Sequence, residues 1–390
     1  MNRIVAGLFF AVILLVPWSR PPALPWLHPR AQWSDVLLLL ALLGFVVSRR
    51  RPFVSWHPVH VAYGLYLASA TFSWWGNGAS HYSGSKLLGL WMLVALASLV
   101  ASFAARPAGA RLIARATAAS VVVVAAVVAL GVVLFYGGFT TPLVGSYGDL
   151  IPGTYPRMQA GFTHPNLLAS WAIVAAGIVA SRGAFSRRTV HGLWLTLGFV
   201  TLWTFSRGLL GFILVVLVAR ATTPRRRLVA AAWCAFSLAI VAALTFGTLS
   251  FNPAEPWAVE WTAEPSTRGQ LLASAATTLT THPWLGLGPG AASATMNGLP
   301  WEAHFTPLNV AATIGIPGLV AFLAIPLVLW RARARPTDLA IWGAVLALLI
   351  DGLAQDIEDF RHLWILLGWT AGLSSSSRPD VAVATPTRSG

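Results

Sequence analysis

The sequence predicts an all-α, polytopic membrane protein with about twelve transmembrane helices, and three observations predict it. First, of 390 residues 56% are hydrophobic and only 10% are charged, against about 25% charged in an ordinary soluble domain. A soluble chain of this length needs polar residues to cover its outside. Second, apolar stretches near the roughly 20 residues that cross a bilayer recur along nearly the whole chain. Third, most of the basic residues fall in short clusters that occupy every second loop. That is the positive-inside pattern, and it orients the chain.

The elements follow in order. Arg3 precedes an apolar run, and 4–18 reads as the first helix and not as a secretory leader, because no small-x-small cleavage site follows it. The second, 35–48, ends on Arg49 to Arg51; the third, 57–75, ends on Trp74 and Trp75; the fourth, 86–104, stops before Arg106. The fifth, 116–135, begins after Arg111 and Arg115 and leads into an outer loop at 136–163 rich in Gly, Pro and Tyr. The sixth, 164–181, ends at Arg182. The seventh and eighth, 190–205 and 207–221, lie between Arg187–Arg188 and Arg220, and the ninth, 228–249, follows Arg225 to Arg227. A second long outer loop, 250–304, contains Glu255, Glu260 and Glu264 and a helix expected over 268–281. There Leu271, Leu272, Ala275, Ala276 and Leu279 share one face at helical spacing, which predicts an interfacial helix lying on the membrane surface. The last three spans, 305–330, 337–353 and 361–373, bring residues 374–390 back to the cytoplasm as a disordered tail. Residues 1–373 thus read as a single transmembrane domain.

The net charge of +14 would suggest a nucleic-acid partner in a soluble protein. Its distribution makes it a topology signal, so no nucleic acid is expected and membrane lipids are. The single cysteine, Cys234, lies in an apolar run and can form no internal disulfide. Nineteen tryptophans include Trp18, Trp26, Trp74, Trp75, Trp203, Trp257, Trp284 and Trp301 at expected outer ends. The plain reading is an interfacial aromatic belt; the sharper one is that a few stack on sugar rings.

No phosphate-binding loop, HExxH or Cys/His metal cluster is present, so neither cofactor nor metal is expected. GLGPG (286–290) neither follows a strand nor opens a helix. The acidic run of Asp356, Glu358 and Asp359 could hold a divalent metal, but reads better as a solvated outer turn that balances Arg361. Four other segments matter together. RMQAGFTHPN brings Arg157, His164 and Asn166 to the outer mouth of the sixth helix, and FSRG puts Arg207 at the turn between the seventh and eighth. STRGQ places Arg268 at the start of the loop helix, and EAHFTPLN places His304 before the tenth span. Each alone could be a snorkelling arginine or a capping histidine. Three arginines and a histidine at one mouth suit an anionic ligand plus a proton acceptor. ATP and nucleotide sugars are cytoplasmic, so chemistry at the outer face needs a donor already activated, such as a polyprenyl-pyrophosphate-linked glycan.

GFTHPN, then SRG, then an arginine before a helix ending HPWLGLGPG, then AH followed by GIPG (315–318), resembles the O-antigen ligase and polymerase family of bacterial glycan enzymes. The resemblance covers roughly 157–373; the first half agrees only in hydropathy. It implies transfer of an undecaprenyl-pyrophosphate-linked polysaccharide to a glycan, lipid or protein acceptor, without metal, at the outer face of the inner membrane. It also implies that His304 activates the acceptor hydroxyl and that Arg207 and Arg268 grip the pyrophosphate. Arg157, Asn166, His164 and Lys86, the last at the outer end of the fourth helix, are further substrate-binding candidates. The loop from 250 to 304 is more compact than the family's. Ligase and polymerase share these features. A transporter or flippase of lipid-linked glycan would instead favour inverted repeats and midplane charges, and a scaffold for glycan assembly would tolerate loss of His304.

Overall fold

The computed structural model describes residues 3–19, 32–47, 57–144, 155–181, 184–246, 249–251, 259–261, 267–296, 298–332 and 339–376. Among them are thirteen α-helices and four short strands. The helices are α1 (Arg3–Leu15), α2 (Trp33–Val47), α3 (Val59–Gly76), α4 (His81–Ala104), α5 (Pro107–Tyr136), α6 (Pro165–Ala180) and α7 (Arg187–Thr204). There follow α8 (Gly208–Ala219), α9 (Pro224–Phe246), α10 (Thr267–Thr281), α11 (Thr306–Ala332), α12 (Leu339–Asp351) and α13 (Arg361–Ser376). Each of the twelve apolar runs is helical, and the thirteenth helix, α10, is the one expected in the loop. In α4, α5, α9 and α11 the apolar helix is long enough to cross a membrane by length and composition; α1, α2, α6, α8 and α12 are apolar but shorter. The protein is an all-α assembly of membrane-protein character. The tail at 377–390, Glu255, Glu264, Trp26, Trp257 and the basic cluster at 49–51 lie outside the described residues.

The middle of the assembly is built from α6, α12 and α13, which are buried nearly all round. A helix apolar on every face is stable only inside others. Small residues set how closely these helices approach. Gly368 and Gly372 of α13 lie one turn apart against Ala97 and Ala101 of α4, where a Cβ would come within 2.2 and 2.4 Å of backbone carbonyls. Close backbone approach over small residues substitutes for the hydrophobic driving force that lipid does not provide.

Two helices start earlier than hydropathy suggests. Pro107 and Pro224 stand at the first positions of α5 and α9, where a missing N–H costs nothing. The arginines that ended the apolar reading are therefore within the helices.

One helix is broken where it must not leave backbone groups unsatisfied. Within α11, Gly315 has φ 87° and ψ 173°, a left-handed extended conformation open to glycine. The break frees the carbonyls of Ala312 and Thr313. The loop after α10 repairs it: the N–H groups of Leu287 and Gly288 donate to those carbonyls at 2.9 Å each, and Ile316 N–H donates to Pro283 O at 2.8 Å. Ser73 Oγ of α3 adds a further donor to Thr313 O at 3.0 Å. Irregular backbone within an apolar helix is tolerated where protein re-satisfies it. GLGPG is thus a stitch between α3 and α11.

Two antiparallel hairpins were not foreseen: β1 (Leu249–Phe251) with β2 (Val259–Trp261), and β3 (Ala294–Met296) with β4 (Leu299–Trp301). The second changes the reading of α10. The expected membrane-facing stripe is turned inward: Leu271 and Ala275 pack with Ala294 and Ala303 in a small separate core that Leu308 flanks. Ala276 is exposed and Leu279 only half-buried. The apolar face of α10 serves the protein's own hairpin and α11, which amphipathic spacing cannot distinguish from a lipid surface.

Candidate functional site

The arginines and histidines of the four sequence segments are placed by helix termini. His164 is the N-cap of α6, its Nδ1 accepting the Asn166 N–H at 3.1 Å. Capping satisfies a donor with no intrahelical partner. Burial first, then the charge of Arg157, pushes its pKa down to about 4, so it stays neutral and fixed as a cap. Asn166 turns its Oδ1 to the guanidinium of Arg157, which donates from Nη2 at 3.4 Å and from Nε to Thr204 O, at the end of α7, at 3.2 Å. Phe205 follows with φ 45°, turning the chain sharply so that Arg207 opens α8.

Arg207 donates from Nη2 to the carbonyl of Ala354 at 3.1 Å. Its Nη1 is buried with no hydrogen-bond partner among the described residues. Burial, then the neighbouring charge of Arg268, lowers its pKa to about 10, while Asp351 acts the other way. Arg268, half-buried in the first turn of α10, is also lowered by burial, with Asp351 opposing. His304 precedes α11 and is exposed. Desolvation of the side it turns to the protein, then Arg268, hold its pKa below the ordinary histidine value; Glu302 opposes and Arg207 adds to the lowering. Arg207 thus lies within electrostatic reach of Arg157, Arg268 and His304, although the four come from separate segments.

Asp351, the one mid-helix acid candidate in the sequence, was weighed only for a transporter and joins this group in the structure. It ends α12 and is buried, accepting hydrogen bonds from Ser170 Oγ and Gln355 Nε2; Gln355 Nε2 also donates to Ser170 Oγ at 2.7 Å. It is the negative charge that Arg207 and Arg268 both feel. The signal for it was available: an acid closing an apolar helix is costly and marks a site.

Lys86 belongs to a different group. Its Nζ lies 2.9 Å from Asp359 Oδ2 and 3.6 Å from Glu358 Oε1. The acidic run is no solvated turn: Glu358 is 2% exposed, Asp356 is buried, and only Asp359 reaches the surface. Tyr66 OH donates to Glu358 Oε2 at 3.0 Å, and Asn309 Nδ2 to Asp356 Oδ2 at 2.7 Å. Burial pushes Asp356 and Glu358 above the usual carboxylate range; at Asp359 burial acts the same way but the Lys86 ammonium outweighs it and holds that carboxyl down. Arg361 is instead gripped by Asp35 through both prongs, Nε to Oδ1 at 2.8 Å. Charged residues between two helices were read as solvent-facing, but here they pack against Tyr66 of α3, Lys86 of α4 and Asn309 of α11. Among the described residues no group of three or more His, Cys, Asp or Glu is arranged to hold a metal ion.

Three guanidinium groups, one with an unused buried donor, can bind an anion with several oxygens in planar forks. An exposed neutral imidazole beside them can accept a proton. No protein-family profile matches the chain, and no curated protein does either.

Proposed function

We propose that the protein is a lipid-linked glycan transferase of the O-antigen ligase type. It would move an undecaprenyl-pyrophosphate-linked polysaccharide onto a lipid A-core or similar acceptor at the outer face of a bacterial inner membrane. In this reading the twelve helices other than α10 span the membrane and both termini are cytoplasmic, as the basic clusters require. The observation that carries it is the grouping of Arg207, with its unpartnered Nη1, and Arg268 beside the exposed His304. A cluster of cations with an exposed base beside it suits a reaction in which an anion leaves as a hydroxyl attacks.

The chemistry follows from those roles. His304 takes the proton of the acceptor hydroxyl as its oxygen attacks the anomeric carbon of the donor sugar. The bond from that carbon to the phosphate oxygen breaks, and configuration inverts. Negative charge gathers on the departing pyrophosphate, where Arg207 and Arg268 stabilise it more in the transition state than in the ground state. Arg157, held by Asn166 and Thr204, adds to the positive potential that draws the donor in. The experiment is transfer by the purified full chain in nanodiscs, from a defined polyprenyl-pyrophosphate glycan, run once with EDTA and once with Mg²⁺. Product formation is expected. No product from any lipid-linked donor, with or without Mg²⁺, would discard the transferase reading.

A further inference from the structure

The segment 352–360, between α12 and α13, takes part in both buried polar groups: Ala354 O receives Arg207, and Asp356 and Glu358 belong to the acidic cluster. One residue fastens it. Thr306, the first residue of α11 and 2% exposed, makes three hydrogen bonds to this segment. Its N–H donates to Gly352 O at 2.7 Å, and its Oγ1 donates to Gln355 O at 2.8 Å. The same oxygen accepts the N–H of Ile357 at 2.9 Å. The Thr306 N–H is one of those at a helix start that have no partner within the helix, and the carbonyl of Gly352 satisfies it. Gly352 permits this close approach, since a Cβ there would lie 3.2 Å from Thr306 Oγ1. The contacts fall on both sides of Ala354, at 352, 355 and 357, so the carbonyl that anchors Arg207 is bracketed by them.

Thr306 also stands two residues past His304. Arg207 opens α8 and His304 precedes α11, so the two come from distant parts of the chain. A short path joins them: the Arg207–Ala354 hydrogen bond, the peptide link to Gln355, and the Thr306 contacts. A hydroxyl that donates and accepts at once holds a loop from two directions, whereas a methyl of the same size holds it from neither. The bonds at Thr306 therefore set where the imidazole stands relative to the anchored guanidinium. A base and a leaving-group clamp act on one substrate only at a fixed spacing, and about 1 Å of misplacement can cost about 10²-fold in rate.

We infer that Thr306 is a positioning residue, whose hydroxyl holds His304 in register with the loop that anchors Arg207. Its effect on transfer rests on the transferase reading; the register of the two groups does not. The test compares Thr306→Val, which keeps the shape and loses the hydroxyl, with Thr306→Ser, which keeps the hydroxyl, in the full chain in nanodiscs. Two readouts are taken. One is single-turnover transfer alongside donor affinity; the other is titration of His304 by histidine-selective NMR, its signal identified by its absence in His304→Gln. Thr306→Val is expected to lower turnover about 10- to 100-fold, with a far smaller change in donor affinity. The His304 titration is expected to move up toward the ordinary histidine value, because the segment swings away from the Arg268 and Arg207 charges that hold it down. Thr306→Ser is expected to return both readouts close to wild type. Thr306→Cys, with a weak donor and acceptor, falls between and carries the comparison if the valine protein does not fold. An unmoved His304 titration or an unchanged turnover in the hydroxyl-free protein overturns the positioning role, and so does an equal loss in Thr306→Ser. A moved titration in a protein that transfers from no lipid-linked donor removes the transferase reading and leaves the register standing. Transfer by the wild type with an unmoved titration in Thr306→Val does the reverse.

Discussion

Arg207 hands one guanidinium nitrogen to the carbonyl of Ala354 at 3.1 Å and keeps another buried without a partner among the described residues. An unsatisfied buried donor costs about 1–3 kcal/mol. The carbonyl at 354 lies three residues past Asp351, whose charge Arg207 feels, so the end of α12 both anchors and balances the arginine. The anionic donor proposed above would complete that donor set.

Asp351 tests that arrangement through stability. It accepts from Ser170 and Gln355 in a buried setting. Asp351→Ala removes the acceptor the two donors share, leaving Ser170 Oγ with Asn166 O and Gln355 Nε2 with Ser170 Oγ, and is expected to destabilise by about 1 kcal/mol. Asp351→Asn keeps an acceptor oxygen and is expected to lose less. Thermal unfolding in one detergent ranks the three proteins, and an alanine variant as stable as wild type removes the network from the account.

Gly315 and Gly298 separate strain from clash. Both have positive φ, 87° and 74°. A Cβ on Gly315 would lie 2.1 Å from the Trp284 carbonyl oxygen, whereas one on Gly298 meets nothing within 4 Å. Gly298→Ala is expected to cost about 1 kcal/mol from backbone conformation alone. Gly315→Ala must also push the loop off the broken helix, and a loss of about 3 kcal/mol or more, or failure to fold, is expected. Equal melting temperatures for the two variants would contradict the stitched break.

The helices were legible because most of them are continuous apolar runs, a signal visible in one sequence. What hydropathy could not see was where a helix continues through arginines, as at Arg111 and Arg115 of α5. Nor could it see the break at Gly315, which depends on donors from Leu287 and Gly288 some 25 residues earlier. Loop parity put Arg157, Arg207, Arg268 and His304 on one side of the chain's spans, and in the structure Arg207 lies within electrostatic reach of the other three. The errors share one cause: polarity was taken to report solvent. Asp356 and Glu358 are polar and buried, because Lys86, Tyr66 and Asn309 supply partners from distant segments. The apolar stripe of α10 was assigned to lipid for the converse reason.

The pH profile reads the neighbours of His304. Its pKa is lowered by desolvation, Arg268 and Arg207, and raised by Glu302. A base acts when unprotonated, so transfer is expected to rise with pH through this lowered pKa and to be level above the ordinary histidine value of about 6.5. Glu302→Gln removes the charge that favours the imidazolium, so the acid limb moves to lower pH. Arg268→Ala removes a charge that disfavours it, so the normalised limb moves up. Shifts of opposite sign would place another group in control.

Topology is checked without activity. Reporter fusions after Arg115, Arg188 and Arg227 are expected to report cytoplasm, and fusions near Gly78, Gly153 and Pro265 the outer side. A cytoplasmic signal at Pro265 would invert the proposed face and remove the mechanism with it.

The roles of His304 and the arginines separate in one set of measurements. Proton transfer by a positioned base contributes about 10²- to 10⁴-fold, so His304→Ala is expected to lower turnover by that amount. Donor affinity should change little, because the imidazole is exposed at the rim and is proposed to face the acceptor. Arg207→Ala and Arg268→Ala are expected to weaken donor binding as well as turnover, since their charge meets phosphate in both ground and transition states. Lysine at either position keeps the charge without the planar fork and should restore only part. At Arg207 the lysine also forfeits the second nitrogen that now rests on Ala354 O, so rescue is expected to be poorer there than at Arg268. The readouts are donor affinity and single-turnover transfer for each purified variant. A fully active His304→Ala ends the general-base role. Unchanged donor affinity in both arginine-to-alanine variants ends the pyrophosphate clamp.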